Sequence, residues 1–338
     1  MKLKSYAQGE WVEGTGKAVP LVHAVTGDTI AEATSEGLDF KGMLEYGRSV
    51  GGPTLRAMTF HDRARKLKEM AKYLMERKDE FYSLSEATGA TKIDSWVDIE
   101  GGIGTFFAYS SRGRREFPNE TFYVEGNVEP LSKDSSFVGR HLCVPLEGTA
   151  VHINAFNFPC WGMLEKLAPT FLAGMPAIVK PATVTSYLTE AMVRAMIESG
   201  ILPEGALQLI VGSTGDLLDH VTGQDVVTFT GSASTGRKLK TMPSVVENSV
   251  RFNMEADSLN FSMLGPESGP GTEEFDLFVK EVVREMTSKA GQKCTAIRRT
   301  LVPRAMTDDV VKAIEKRLAG VKLGDPRTEG IRMGPLVG

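Results

Sequence analysis

One stretch carries the residue types of covalent catalysis: Gly291-Gln292-Lys293-Cys294-Thr295-Ala296, in which Cys294 is one of three cysteines among 338 residues. A cysteine thiolate is a strong nucleophile toward a carbonyl carbon when a constrained backbone presents it. Upstream, Phe275, Phe278, Val279, Val282, Val283 and Met286 recur at three-and-four spacing, which predicts an amphipathic helix over residues 273–290. Gly291 lies just past the last periodic position and suits the left-handed conformation that closes a helix, so Gln292, Lys293 and Cys294 are expected in a tight turn. Locally, the pattern favours the plainer reading of a cysteine acting as a small buried hydrophobe. The elements around it have to decide.

Short apolar strands are expected at 150–153, 177–179, 207–211 and 226–230, separated by helices at 162–173 and 188–199 and a helical piece at 217–220. Such alternation implies right-handed parallel crossovers and a doubly wound α/β sheet, which gathers its ligands at the carboxyl ends of the strands. Four polar or glycine-bearing stretches fall at those ends. Asn154-Ala155-Phe156-Asn157-Phe158-Pro159 follows Ile153, Lys180-Pro181-Ala182-Thr183 closes the second strand, Gly212-Ser213-Thr214-Gly215 the third, and Gly231-Ser232-Ala233-Ser234-Thr235-Gly236 the fourth. The last opens a helix, where glycines admit a pyrophosphate close to the backbone and the helix N-terminus presents oriented N–H groups. It is not a G-x-G-x-x-G pattern, and alone it is equally an ordinary βα turn.

The length exceeds what one core usually serves, so two domains are expected, and 41% apolar residues suffice for both. A net charge of -4 without a basic run argues against a nucleic-acid or membrane-surface partner. The three cysteines make no disulfide framework, the N-terminus lacks the apolar core of a signal peptide, and no apolar run reaches a membrane span, which together point to a soluble protein of the reducing cytoplasm. No metal site is assigned. Residues 3–36 suggest small strands and turns. Thr59 and Asp62 resemble a capping box opening a helix over 60–77, a second helix is expected over 80–88, and Gly101 to Gly104 are expected to break the helical pattern. Arg112, Arg114 and Arg115 form a basic cluster that reads as a solvated face or an anion contact. Residues 121–145 alternate polar and apolar side chains, as in a hairpin-like excursion.

Taken in order, Asn157 in Phe-Asn-Phe-Pro, Lys166, Lys180-Pro181, Phe229-Thr230-Gly231-Ser232, Glu255, Gly291-Gln292-Lys293-Cys294, Gly324-Asp325-Pro326 and Gly334-Pro335-Leu336-Val337 resemble the aldehyde dehydrogenase superfamily along the whole chain. The resemblance implies an α/β fold with a doubly wound Rossmann-type dinucleotide-binding domain (1–120 and 147–254), a hairpin-like oligomerisation excursion (121–146) and, over 255–338, the first part of an α/β catalytic domain. In the family that domain continues further, so the chain reads as part of a longer protein. Finer wording, Met254-Glu255-Ala256-Asp257-Ser258-Leu259-Asn260 and Ser95-Trp96-Val97-Asp98-Ile99-Glu100-Gly101-Gly102, is similar to a branch that oxidises ring-opened CoA-thioester semialdehydes in phenylacetate and benzoate degradation.

By this resemblance Cys294 is the nucleophile, Asn157 and the Cys294 backbone N–H stabilise the oxyanion, Glu255 activates water as general base, and Lys166 stands near that base. Ile153, Asn154, Lys180, Thr183, Gly212, Gly231, Ser232 and Gly236 are the expected cofactor-binding residues. Thr183 stands where NAD-using relatives often carry a ribose-binding glutamate, which points to NADP with NAD as the lesser choice. One departure is clear: Glu255 is followed by Ala-Asp-Ser instead of the usual Leu-Gly-Gly. The expected partners are a CoA-thioester semialdehyde, further copies of the same protein and a fused hydratase domain. Two other readings stay open: a dehydrogenase that releases its thioester to CoA, and a non-catalytic dinucleotide-binding scaffold.

Overall fold

The computed structural model describes residues 1–337. At the start, β1 (Lys4–Ala7) pairs antiparallel with β2 (Glu10–Glu13), and β3 (Val19–Val22) with β4 (Thr29–Ala33). Helices α1 (Phe40–Tyr46) and α2 (Gly52–Ala57) are joined through a π-turn at Gly47–Gly51. Next comes α3 (Phe60–Glu76), which opens in the expected capping box. There Thr59 Oγ1 accepts from the Asp62 N–H, and the Asp62 carboxylate accepts from the Thr59 N–H, both at 3.1 Å. Its Leu67, Met70, Ala71 and Leu74 are completely buried. After α4 (Lys78–Ser85), helices α5 (Lys92–Trp96) and α6 (Gly102–Arg115) run on through a second π-turn, Val97–Gly101.

The helical pattern therefore does not break at Gly101 to Gly104. A π-turn absorbs one extra residue without ending the helix. The glycines serve packing instead, because a Cβ on Gly101 would lie 2.3 Å from the Trp161 ring and one on Gly102 would lie 2.9 Å from Trp161 Cα. The basic cluster sits in the last turn of α6, where Arg112 pairs with Glu116 at 3.0 Å and cations suit the helix dipole. Strands β5 (Tyr123–Pro130) and β6 (Val138–Cys143) then form an antiparallel hairpin, as the alternation predicts.

The parallel region supplies β7 (Ala150–Ile153), α7 (Pro159–Leu172), β8 (Ala177–Lys180), α8 (Ser186–Glu198), β9 (Leu207–Leu209), β10 (Val226–Gly231), α9 (Ala233–Lys240), α10 (Pro243–Glu247) and β11 (Arg251–Ala256). Seven strands form one sheet in the order β11-β10-β7-β8-β9-β1-β2, with the first five parallel and the last two antiparallel. Strand β9 stops at Leu209, short of the expected Val211, because the Val211 N–H donates to Ser5 Oγ at 3.1 Å instead of to a ladder. Side chains alternate across the sheet. Ala177, Val179, Leu207 and Leu209 join α3, α6, α7 and α8 in one core, while Val151, Ile178, Val227 and Phe229 join α1 and α10 in another.

Beyond the sheet, β12 (Phe261–Met263) pairs parallel with β13 (Arg299–Leu301), and α11 (Glu273–Thr287) packs on α12 (Thr307–Leu318) around Leu264, Phe278, Val282 and Val310. Helix α11 ends at Thr287, three residues before the predicted stop, since Ser288 turns extended at φ -65° and ψ 127°. Among the described residues no helix is long and apolar enough to cross a membrane.

Asp225, wholly buried, ties the start of this sheet together. Its carboxylate accepts from the Thr149 N–H at 2.7 Å, the Thr222 N–H at 2.6 Å and the Arg48 guanidinium at 2.5 Å. Asp225→Ala leaves the buried Thr149 N–H and the half-buried Arg48 guanidinium without an acceptor and is expected to cost about 2–4 kcal/mol. Urea unfolding followed by circular dichroism checks this, and a midpoint equal to the parent's would show that the cluster does not anchor the sheet.

Candidate active site

Parallel register decides which residues meet. Thr230 lies opposite Glu255 and Gly231 opposite Ala256, while Phe229 lies opposite Ile153, so β7, β10 and β11 end together. Chain order runs outward from β7 through β8 to β9, then resumes on the other side of β7 with β10 and β11. A crevice opens at that reversal. In it lies a cavity of about 330 Å³ lined by Asn157, Phe158, Trp161, Glu165, Lys166, Thr230, Glu255 and Cys294. All four residues predicted for catalysis therefore face one space, although they come from two loops, a helix and a strand.

The cysteine loop is held in an unusual backbone form. Lys289, Ala290 and Gly291 take φ of 51°, 53° and 73° in succession. Only the last is glycine, and each side-chain-bearing residue in this region costs roughly 1–2 kcal/mol. Hydrogen bonds offset that cost. The Lys289 N–H donates to Asp94 Oδ1 at 2.8 Å, and the Lys289 carbonyl accepts from the Gln292 backbone and side-chain amides, both at 3.0 Å. Asn157 Nδ2 donates to the Gln292 carbonyl at 3.0 Å, which fixes the side chain predicted as oxyanion donor against the loop that carries the nucleophile. Its second N–H is not needed for that bond. Across the loop, Asn260 Nδ2 donates to the Cys294 carbonyl at 2.5 Å.

Cys294 is exposed and opens on the cavity, whereas Cys160 is the buried hydrophobe of the chain. Partial burial pushes the Cys294 thiol up, and the nearby Glu255 charge pushes it further, so less thiolate is present at neutral pH than for an ordinary cysteine. Thr230 Oγ1 donates to Glu255 at 3.4 Å. Lys166 lies in the same cavity, with its ammonium on the Gly162 carbonyl at 3.3 Å and on Glu165 at 3.4 Å.

A second, larger cleft of about 720 Å³ lies over the strand ends beside this one. Ile153, Lys180, Thr183 and Gly212 line it together with Gly215, Thr235 and Phe40. Burial lowers the Lys180 ammonium, and Thr183 Oγ1 donates to the Gly212 carbonyl at 3.3 Å. Gly231 borders the space next to Cys294. Ser232 caps α9, accepting from the Thr235 N–H at 3.3 Å. Gly236 serves packing, since a Cβ there would lie 2.4 Å from Met254 Sδ. Asn154 is buried at the end of β7, and neither polar atom of its side chain has a partner. A cleft at the strand ends with a half-buried cation, near the orphaned Asn154 amide and the capped start of α9, suits a dinucleotide. One feature was not anticipated: the Asp257 carboxylate already accepts from the first N–H of α9, that of Ala233, at 3.1 Å.

Sequence reasoning missed the cavity wall. Trp161 donates from Nε1 to Glu165 at 2.9 Å, and both belong to the first turns of α7. Their spacing of four residues was the available signal. Asp98 and Lys289, which support the site from beneath, fell in stretches quoted only for their wording or their helical period.

Fold and site together define a class: the chain belongs to the aldehyde dehydrogenase family, matching its description over residues 11–338. Among individual relatives, it is 48% identical over 338 residues to the 3,4-dehydroadipyl-CoA semialdehyde dehydrogenase of Aromatoleum evansii, covering 100% of this chain and 65% of that protein. The chain therefore spans somewhat less than two thirds of that relative's length. Among solved structures, lactaldehyde dehydrogenase from Escherichia coli superposes with a TM-score of 0.84 at 22% identity, covering 100% of this chain and 68% of that one. The structure of 3,6-anhydro-L-galactose dehydrogenase in complex with NAP gives a TM-score of 0.84 at 20% identity, with the same coverage.

The thiol environment is directly measurable. In a Cys143→Ser background, iodoacetamide labelling of Cys294 is expected to show a pH midpoint above that of a free cysteine, about 8.5. Glu255→Gln removes the charge that disfavours the thiolate and should lower the midpoint. An unchanged midpoint would mean that Glu255 exerts no field at the sulfur.

Proposed function

We propose that the protein oxidises a CoA-linked semialdehyde to the carboxylic acid with NADP, in the breakdown of aromatic compounds in the cytoplasm, through a thiohemiacetal and then a thioester on Cys294. The observation that carries this reading is the convergence of Cys294, Asn157, Glu255 and Lys166 on one cavity beside a cleft at the strand ends. A nicotinamide dinucleotide bound in that cleft supplies the hydride acceptor. Ile153, Asn154, Lys180, Thr183, Gly212, Gly231 and Ser232 are the residues that would hold it, and 1–120 with 147–254 is the unit that would form its domain.

Within the cavity, Cys294 Sγ attacks the aldehyde carbon after losing its proton. The carbonyl oxygen gains negative charge, which the second N–H of Asn157 and the Cys294 backbone N–H would stabilise. Once the thioester has formed, Glu255 takes a proton from the attacking water, and the acid leaves with the sulfur regenerated. Glu255 in the cavity wall favours release to water over release to CoA. Lys166, on Glu165 and the Gly162 carbonyl, keeps a positive charge close to the base. Trp161 and Phe158 give the cavity an apolar wall suited to the methylene chain of a semialdehyde.

Three features support the finer assignments. Thr183 itself brings no carboxylate to repel a 2′-phosphate, and Lys17 and Lys180 set two cations against Glu36 and Asp216 in the cleft, so NADP should be favoured over NAD. The 48% identity to an enzyme named for a CoA semialdehyde supports that substrate class. Phe137, Leu142 and Val144 on and beside the β5–β6 hairpin are more than 60% exposed, which suits burial against another copy of the protein. A fused hydratase domain is part of the same reading and would act on the same CoA-bound chain.

In the full-length protein, Cys294→Ala should abolish aldehyde-dependent NADPH formation and covalent labelling by the aldehyde. Glu255→Gln should instead give a burst of up to one NADPH per site in stopped flow, followed by a steady state about 10²–10⁴-fold slower, with the acyl group visible on Cys294 by intact mass. Turnover of Glu255→Gln at the parent rate would assign the base elsewhere. Separately, kcat/KM should be higher for NADP than for NAD and higher for a CoA semialdehyde than for acetaldehyde. Parity in either pair sinks the corresponding assignment.

A further inference from the structure

Five residues upstream of Cys294, a charge lies where charges are rare. The Lys289 side chain is 3% exposed, and its ammonium donates to Thr88 Oγ1 at 3.2 Å and stands 5.9 Å from the centre of the Phe158 ring. Two buried carboxylates act on it. Asp94 also accepts from the Lys289 backbone N–H, while fully buried Asp98 accepts from the N–H groups of Cys160 and Trp161 at 3.1 and 2.8 Å. Asp98 therefore caps the start of α7 from within the π-turn at Val97–Gly101, and its second oxygen has no hydrogen-bond partner. Burial holds the Lys289 ammonium below its ordinary range, and burial pushes the Asp98 carboxyl up to about 6 despite Lys289.

A fold in need only of stability has no reason to place a lysine there, because an apolar residue of the same volume avoids the desolvation. What the cluster does is join three pieces of the site. It grips the left-handed stretch that presents Cys294, the first turn of α7 that carries Trp161, and the Phe158 ring next to Asn157. We propose that Lys289, compensated by Asp98 and Asp94, is a positioning residue that locks the Cys294 loop in register with Asn157 and Glu255. The proposal rests on Cys294 being the nucleophile, and adds a device that sets where its sulfur stands.

The test reads the sulfur without aldehyde or cofactor, so its outcome is separate from that of the proposed reaction. In the Cys143→Ser background, Lys289→Met keeps the volume but removes the charge, and Lys289→Met with Asp98→Asn removes both charges while the Asp98 position still accepts from the α7 N–H groups. Cys294 alkylation by iodoacetamide is followed against pH, beside the melting temperature. The charged groups around the sulfur are Glu255, Glu165, Lys166, Lys293, Asp257 and Arg298, none of which is altered. Freed from its anchor, the loop should let Cys294 move out of the field of Glu255. Its pH midpoint should then fall toward that of a free cysteine, and its labelling at pH 7 should rise about three- to tenfold in both variants. A midpoint and rate equal to the parent's, or slower labelling, in either folded variant overturns the proposal. Should Lys289→Met alone fail to fold, the double variant decides, and failure of both to fold overturns it as well by making the cluster purely structural.

Discussion

Parallel pairing of β7, β10 and β11 is the constraint on which the site depends. Side chains along a strand alternate between faces, so only the residues just past the strand ends are free to point along the sheet edge, and the in-register ladders bring three such ends to one place. Thr230 and Glu255 are opposite one another because of this register, and a slip of one residue would turn Glu255 to the other face. Asn157 follows from the same arrangement, since the loop leaving Ile153 has to climb over the edge before α7 begins. The cysteine loop alone comes from outside the sheet, and hydrogen bonds from Asn157 and Asn260 fasten it at the crevice.

Helix starts carry the electrostatics. Helix α7 opens under the wall of the cavity and is closed by Asp98, a carboxylate from another element, while α9 opens toward the second cleft and is closed by Asp257. The two differ in exposure. Asp98 is sealed in, with its charge balanced by Lys289, whereas the Asp257 contact is open to solvent. Asp257 lies two residues past Glu255 with φ of 56°, so its bond to the Ala233 N–H ties the end of β11 to the start of α9.

Most of the sheet was legible because its strands are short apolar runs between glycine and proline punctuation, and the helices with a wide apolar face, such as α3 and α11, showed their period plainly. The ends were less so. Periodicity cannot register a π-turn, because the inserted residue shifts the pattern without stopping it, and Gly101 and Gly102 therefore read as a break when they are a packing surface for Trp161. Gly291 was correctly seen as left-handed, but Lys289 and Ala290 share its conformation, with the Lys289 N–H held by Asp94, a partner 195 residues away that no local rule connects to it. The residues of the site itself were visible through ordered motifs, while its supports were not, since buried charge looks in sequence like solvated charge.

The raised Cys294 thiol also bears on durability. Peroxides and disulfides react with thiolate, and a sulfur kept protonated by partial burial and by the charge on Glu255 offers them little of it. The Cys294 sulfur is thus open to solvent and still a weak target for oxidants.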